Sequence, residues 1–281
     1  MQYMEKKVAL VTGASSGIGK ATVRQLLADG LEVYAAARRV ERMRELEADG
    51  AHVLAMDITR EEDIQRVVET IRKQSGGVDV LVNNAGFGLY GAVEDVPIDD
   101  ARYQFEVNLF GLASLTQKLL PGMRAKGKGT IINITSIGGK IYFPLGAWYH
   151  ASKHALEGWS DCLRLEVKDF GIDVVIVEPG VINTEFGDVM MPMLEKYSGQ
   201  GAYAELVQMY KKATGNVYEQ QQGSPPEVIA QVISKAVRAR RPRTRYVAGS
   251  MARPMLFLRW LLSDRLFDGM IMSTLRRYAK G

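Results

Sequence analysis

The sequence predicts an α/β fold, a doubly wound parallel sheet of about seven strands with helices on both faces. Three observations predict it. Short β-rich apolar runs alternate with longer amphipathic stretches along most of the 281 residues. The strand runs are apolar nearly throughout, as a sheet buried on both faces requires. The first strand ends in a glycine-rich turn that opens directly into a helix, the setting of a phosphate-binding loop.

The elements follow in order. VALVT (8–12) reads as a strand, and GIGKATVRQLLADG (17–30) as a helix closed by Gly30. EVYAAA (32–37) is a second strand. The stretch 40–50 is a helix stopped by Gly50, and HVLAM (52–56) a third strand. The helix 60–76 carries acids in its first turn, where the helix dipole favours them. VDVLVNNAG (78–86) is a fourth strand, followed by one long helix over 99–123 and a fifth strand in 129–136. A second long helix covers 147–170, a sixth strand 173–180 and a seventh 243–249. Residues 183–224 break the rhythm and read as a mobile insertion that forms a substrate loop. The organisation is therefore one domain over 1–250 and an amphipathic helical extension over 251–281.

Composition narrows the class. Hydrophobic residues make up 47% and charged residues 24%, which suits a sizeable core and excludes a disordered chain. The net charge of +4 is modest and does not call for nucleic acid. The single cysteine, Cys162, excludes an internal disulfide and a cysteine metal cluster. His150 and His154 share a helix face, but no thiolate or carboxylate completes a metal set, so no metal is expected. The N-terminus lacks a secretory apolar core and no window is long enough to span a bilayer, so a cytoplasmic setting is the expectation.

The motifs carry more. TGASSGIG (12–19) has the spacing G-x-x-x-G-x-G, which alone could be a structural turn. With NNAG at 83–86, Asn108, Ser136, YHASK at 149–153 and PGVINT at 179–184, in that order, it resembles the short-chain dehydrogenase/reductase family over about residues 5–250. The resemblance implies a Rossmann-type sheet with a nicotinamide cofactor across the C-terminal strand ends. It implies cofactor contacts from Gly13, Ser15, Ser16, Gly17, Ile18 and Gly19 in the turn, and from Asp57 and Ile58 at the adenine. Asn84, Ala85 and Gly86 would lie near the adenosine ribose, with Asn83 as fit to hold strands together. Pro179, Ile182 and Thr184 would meet the nicotinamide.

The second strand ends at Ala37, where an NAD enzyme usually carries an acid for the ribose hydroxyls. Arg38 follows and can pair with a 2′-phosphate, so the expected cofactor is NADP(H), with Arg39 a lesser contributor. The alternative is a pair of solvated arginines opening a helix.

Tyr149 and Lys153, four apart, share one helix face. Alone they could be a surface pair, Asn108 a satisfied amide and Ser136 a loop cap. Within the resemblance they form a catalytic set. Tyr149 is the proton donor, a phenol whose free pKa is near ~10 and which a neighbouring ammonium would lower. Lys153 tunes it and holds the nicotinamide ribose. Ser136 stabilises the developing oxyanion, and Asn108 holds a water that links Lys153 to solvent. His150 and His154 are expected to be structural.

Phe143, Phe186 and Met190, with Ser136 and Tyr149, are the candidate substrate contacts, and their apolar character points to a lipophilic carbonyl or alcohol. The stretch NNAGFGLYGAVEDV and the long tail are most similar to the steroid and retinol dehydrogenase branch. Two alternatives stay open: a 3-oxoacyl-thioester reductase, using Arg124, Lys126 and Lys128 against a carrier protein, and an NADP-binding regulator. A homo-oligomer paired through the long helices is expected. The tail, broken near Ser263–Asp264, could cover the pocket, pack a subunit interface, lie on a membrane or hang loose.

Overall fold

The computed structural model describes residues 6–219 and 223–280. Residues 1–5, 220–222 and 281 lie outside the described residues; they include the start of the expected domain, part of the expected substrate loop and the last residue of the tail.

Seven parallel strands form one sheet: β1 (Val8–Thr12), β2 (Glu32–Ala37), β3 (His52–Ala55), β4 (Val80–Asn83), β5 (Gly129–Ile134), β6 (Ile172–Pro179) and β7 (Arg245–Ala248). Their spatial order is β3-β2-β1-β4-β5-β6-β7. The chain reverses its winding between β1 and β4, so a crevice opens at the carboxyl ends of these two neighbours.

The period of two in the strands divides the core into two faces. Ala9 and Val11 of β1 and Val33 and Ala35 of β2 face one layer. There they pack on Val23 and Leu26 of helix α1 (Gly17–Ala28), Leu46 of α2 (Arg44–Ala48), and Ile229 and Ile233 of α9 (Glu227–Arg238). Leu10 and Tyr34 face the other layer. It is built from α3 (Glu61–Ser75), α5 (Gly111–Lys126) and α6 (Ala147–Val167), while α4 (Ile98–Phe105) packs through Ala101 on Leu89 and Val96. Burying each large aliphatic side chain contributes about 1.5–3 kcal/mol.

Three expectations are corrected. The helix expected over 99–123 is two helices joined by a wide π turn at Glu106–Phe110. The stretch 40–50 starts as a tight 3-10 turn at Val40–Met43 before α2. Residues 183–224 hold two helices, α7 (Phe186–Ser198) and α8 (Ala204–Glu219), rather than a loop. The tail forms α10 (Ala252–Leu261) and α11 (Asp264–Lys280), with its break where the sequence placed it. These four helices make a third apolar layer over the strand ends, in which Met190, Leu194, Val207, Phe267 and Ile271 are buried together.

Candidate active site

The glycine turn is built by close backbone approach. Gly13 has φ +66, and a Cβ there would sit 2.8 Å from Ala85 Cα. A Cβ on Gly19 would collide with the Gly13 carbonyl oxygen and the Asn84 amide. Thr12 Oγ1 accepts both the Asn84 and Ala85 backbone N–H groups at 3.0 Å, and Asn84 Nδ2 donates to Thr12 O at 3.0 Å. The ends of β1 and β4 are thus stitched together, and Asn84 is spent in part on shaping the turn. Asn83 donates to Thr116 and Asn133, holding β4 to its neighbours.

Ser16 precedes α1 without a side-chain cap, and the first turn of the helix holds no acid. Its N–H groups are left for an anion, and Gly17 leaves only the Thr184 side chain opposite, 3.0 Å from where a Cβ would be. Ser15 and Ile18 are half-buried on this rim. A nucleotide diphosphate fits this cradle.

At the end of β2, Ala37 is buried and two exposed arginines follow. Arg38 donates to Tyr103 Oη at 3.1 Å, while Arg39 reaches back to Ser15 Oγ in the glycine turn at 3.4 Å. Both cations thus stand at the end of β2, and Arg39 is tied to the glycine turn. Arg42 joins them in a bidentate pair with Glu185 at 2.8 and 3.0 Å. Nothing in the sequence signals that pair, because 143 positions separate its partners. Asp57 caps its own turn, accepting Thr59 N–H and Oγ1–H, and Ile58 is buried against Gly111.

The catalytic candidates lie just past β5, on α6 and in the π turn. Ser136 follows β5 in extended backbone, and its Oγ accepts the Gly138 N–H at 3.0 Å. The hydroxyl proton remains available to donate. Tyr149 is buried on α6 among the rings of Phe186 (5.3 Å), His150 (5.5 Å) and Tyr90 (5.8 Å). One turn on, Lys153 is 6% exposed and donates to Ile134 O at 2.9 Å. Burial pulls its ammonium down to about 8, and the Glu157 carboxylate works against that pull. Gly86 is the gap between two groups: a Cβ there would lie 3.1 Å from Asn108 Oδ1 and 3.7 Å from Lys153 Nζ.

Asn108 is fully buried in the π turn, with both amide N–H groups donated. Oδ1 accepts Phe87 N–H at 3.1 Å; Nδ2 donates to Phe87 O at 3.0 Å and to Ser152 Oγ at 3.1 Å. Oδ1 keeps a second lone pair, which a water at this position could donate to.

His150 is structural, as expected, and its partners show what it positions. Nδ1–H donates to Gly138 O at 2.9 Å and Nε2 accepts Phe143 N–H at 3.1 Å. Burial holds the ring neutral, with its pKa lowered to about 4. The imidazole thus clasps the loop that follows Ser136 onto α6.

Among the substrate candidates, Phe186 presses on Tyr149 and on Gly88, and Phe143 lies beside His150 at 5.9 Å. Met190 is buried in the third layer. Below the site, Arg245 bonds Glu157 at 3.1 Å and lies 3.6 Å from Glu178; Lys140 is 3.7 and 3.5 Å from the same two acids. Burial and the neighbouring Glu157 raise the Glu178 carboxyl above its ordinary range.

Three comparisons extend these observations. The family model described as short chain dehydrogenase matches residues 7–194. An NADPH-dependent 3-dehydrocapnine reductase of Ornithobacterium rhinotracheale is 36% identical, covering 96% of this chain and 98% of its own. A short-chain dehydrogenase from Streptomyces avermitilis superposes with a TM-score of 0.78 at 35% identity, over 98% of this chain and 97% of that one. An actinorhodin polyketide ketoreductase variant crystallised with NADPH gives 0.71 at 31% identity, over 84% and 91%.

Proposed function

The chain belongs to the short-chain dehydrogenase family, and on that premise we propose that it reduces lipophilic ketones or aldehydes to alcohols, reversibly, with NADP(H). The observation that carries this reading is the bond from Lys153 Nζ to Ile134 O, which holds the helix bearing Tyr149 against the end of β5 that leads into Ser136, under an apolar helical layer.

NADPH, when bound, supplies the hydride that reduces the carbonyl carbon. Ser136 donates its hydroxyl proton in a hydrogen bond to the carbonyl oxygen and stabilises the charge that develops there. Tyr149 transfers its phenolic proton to that oxygen, which completes the alcohol. Lys153 faces the phenolate left behind as an ammonium. Asn108 locks Phe87 and α6 together and so fixes the distance between the β4 end and Lys153. Phe186, Phe143 and the layer over them exclude water and favour an apolar substrate. Arg38 and Arg39 would hold the 2′-phosphate.

A substrate delivered on a carrier protein finds less support. Lys126 is paired with Asp79 at 3.0 Å and Arg124 lies over the Phe170 ring, so two of the three cations expected to form that patch have internal partners. A homo-oligomer fits the exposed Phe110 beside α5 and the exposed Leu165 on α6.

The test is NADPH oxidation against hydrophobic ketones, aldehydes and 3-oxoacyl thioesters, with NADH as control and Tyr149→Phe alongside. Turnover should favour NADPH and fall by about 10²–10⁴ in the variant. Cofactor binding without turnover, equal in both proteins, would instead identify a regulator.

A further inference from the structure

We propose that the outer face of α10 is a membrane-docking surface that seats this protein on an anionic bilayer. The face is an apolar wedge outside the core. Phe257, Trp260 and Leu261 lie at helical spacing on one side of α10 and are 57%, 79% and 57% exposed; Leu266, just past the helix break, is 61% exposed. None of the four packs into the third layer, whereas their neighbours Met255, Leu256, Leu258 and Leu262 do. The Phe257 and Trp260 rings lie 6.0 Å apart at a tilt of 36°, so the wedge has an aromatic tip of the kind that settles at a bilayer interface.

Charge selects the occupant. Residues 251–281 carry six basic and two acidic side chains, an excess of four that equals the whole chain's excess of 36 over 32. Arg253 precedes the wedge and Arg265 follows it, and both are exposed. The two acids are already engaged: Asp264 pairs with Arg259 at 2.8 Å, and Asp268 accepts from Tyr142 Oη at 2.9 Å. A second copy seated on this face would bring arginines against arginines with no acid left to answer them. A surface of anionic lipid headgroups answers both the arginines and the apolar wedge.

Among the described residues, no helix is long and apolar enough to cross a membrane, so the contact is with the surface. The inner side of α10 belongs to the same apolar cluster as Tyr142, Phe143 and Tyr149. The docked protein therefore turns the cover of its pocket toward lipid, and an apolar substrate can pass from the bilayer without crossing water. That second statement rests on the catalytic reading; the docking does not.

The experiment is flotation of the full chain with vesicles of phosphatidylcholine, either pure or containing about 30% phosphatidylglycerol. The protein should float with the anionic vesicles only, and less as salt rises. Phe257→Ser with Trp260→Ser, and separately Arg253→Glu with Arg265→Glu, should each lower the bound fraction roughly tenfold. NADPH affinity should stay unchanged, which shows that the variants are folded. Absence of flotation by the wild type, or equal flotation by the variants, overturns the proposal. So does a change of oligomeric state in the variants with vesicle binding intact. If docking holds but no carbonyl is turned over, the catalytic reading fails and the membrane surface stands.

Discussion

His150 and Lys153, one turn apart on α6, are both buried, and burial drives both toward the neutral form. For His150 the folded pKa of about 4 lies below the ordinary 6.5. Between those values the unfolded chain binds a proton that the native ring refuses, so native stability falls as pH drops from 6.5 toward 4, by about 3 kcal/mol. Gly138 O, Phe143 N–H, His154 and the Tyr149 ring surround the ring. None of them is a carboxylate that would hold the proton. Urea titrations across that range should show this slope, and His150→Gln should flatten it; an unchanged slope would assign acid lability to other groups. For Lys153 the ammonium persists below about 8. Reductive kcat/KM of the free enzyme should therefore be level below that pH and decline above it, and Lys153→Met should lack that limb. The spacing of Tyr149 and Lys153 put both on one helix face, and both lie buried on α6. The clasp made by His150 was not legible, since its partners are backbone groups that any sequence supplies.

At the scale of elements, the π turn at Glu106–Phe110 shows what periodicity misses. Residues 99–123 read as one amphipathic helix because the apolar spacing continues across the turn. The turn is held by its own Asn108, whose amide takes both backbone groups of Phe87 and donates to the Ser152 hydroxyl oxygen. Asn108→Leu would leave the Phe87 N–H unpaired, at about 1–3 kcal/mol, while Phe87 O keeps the bond from Gln104 Nε2 at 2.9 Å. The expected loss is therefore about 1–3 kcal/mol in urea denaturation with the m-value unchanged. A loss below ~1 kcal/mol would mean that water replaces the amide. Helices α7 and α8 were illegible for a related reason. Pro192 within α7 and Gly199 and Gly201 after it read as loop punctuation, yet Met190, Leu194 and Val207 bury one continuous apolar face. Tertiary burial outweighs such local signals. The strands gave no such trouble, because β-rich runs buried on both faces leave few alternatives.

Across the whole molecule, the three layers divide the labour. The two layers on the faces of the sheet flank the crevice, and the third, made of α7, α8, α10 and α11, shares its apolar cluster with Tyr149. Phe267 on α11 joins these helices. It is fully buried, its ring meets Tyr142 edge-on at 5.4 Å and the Arg259 guanidinium lies over it at 5.5 Å. Phe267→Ala should cost about 3–5 kcal/mol, as truncations that leave a cavity do. Its kinetic signature is more discriminating than its stability cost. The glycine turn, the β2 arginines and the β1–β4 stitching make no contact with α11 through the third layer's apolar cluster. NADPH affinity, read by the cofactor's own fluorescence, should therefore survive the substitution. KM for a hydrophobic ketone should rise several-fold, because the pocket loses its packed cover and admits water. Parallel losses of NADPH affinity and substrate affinity would show instead that the layers are energetically one body. In that case the tail would be part of the fold's common core and not a separable cover for the site.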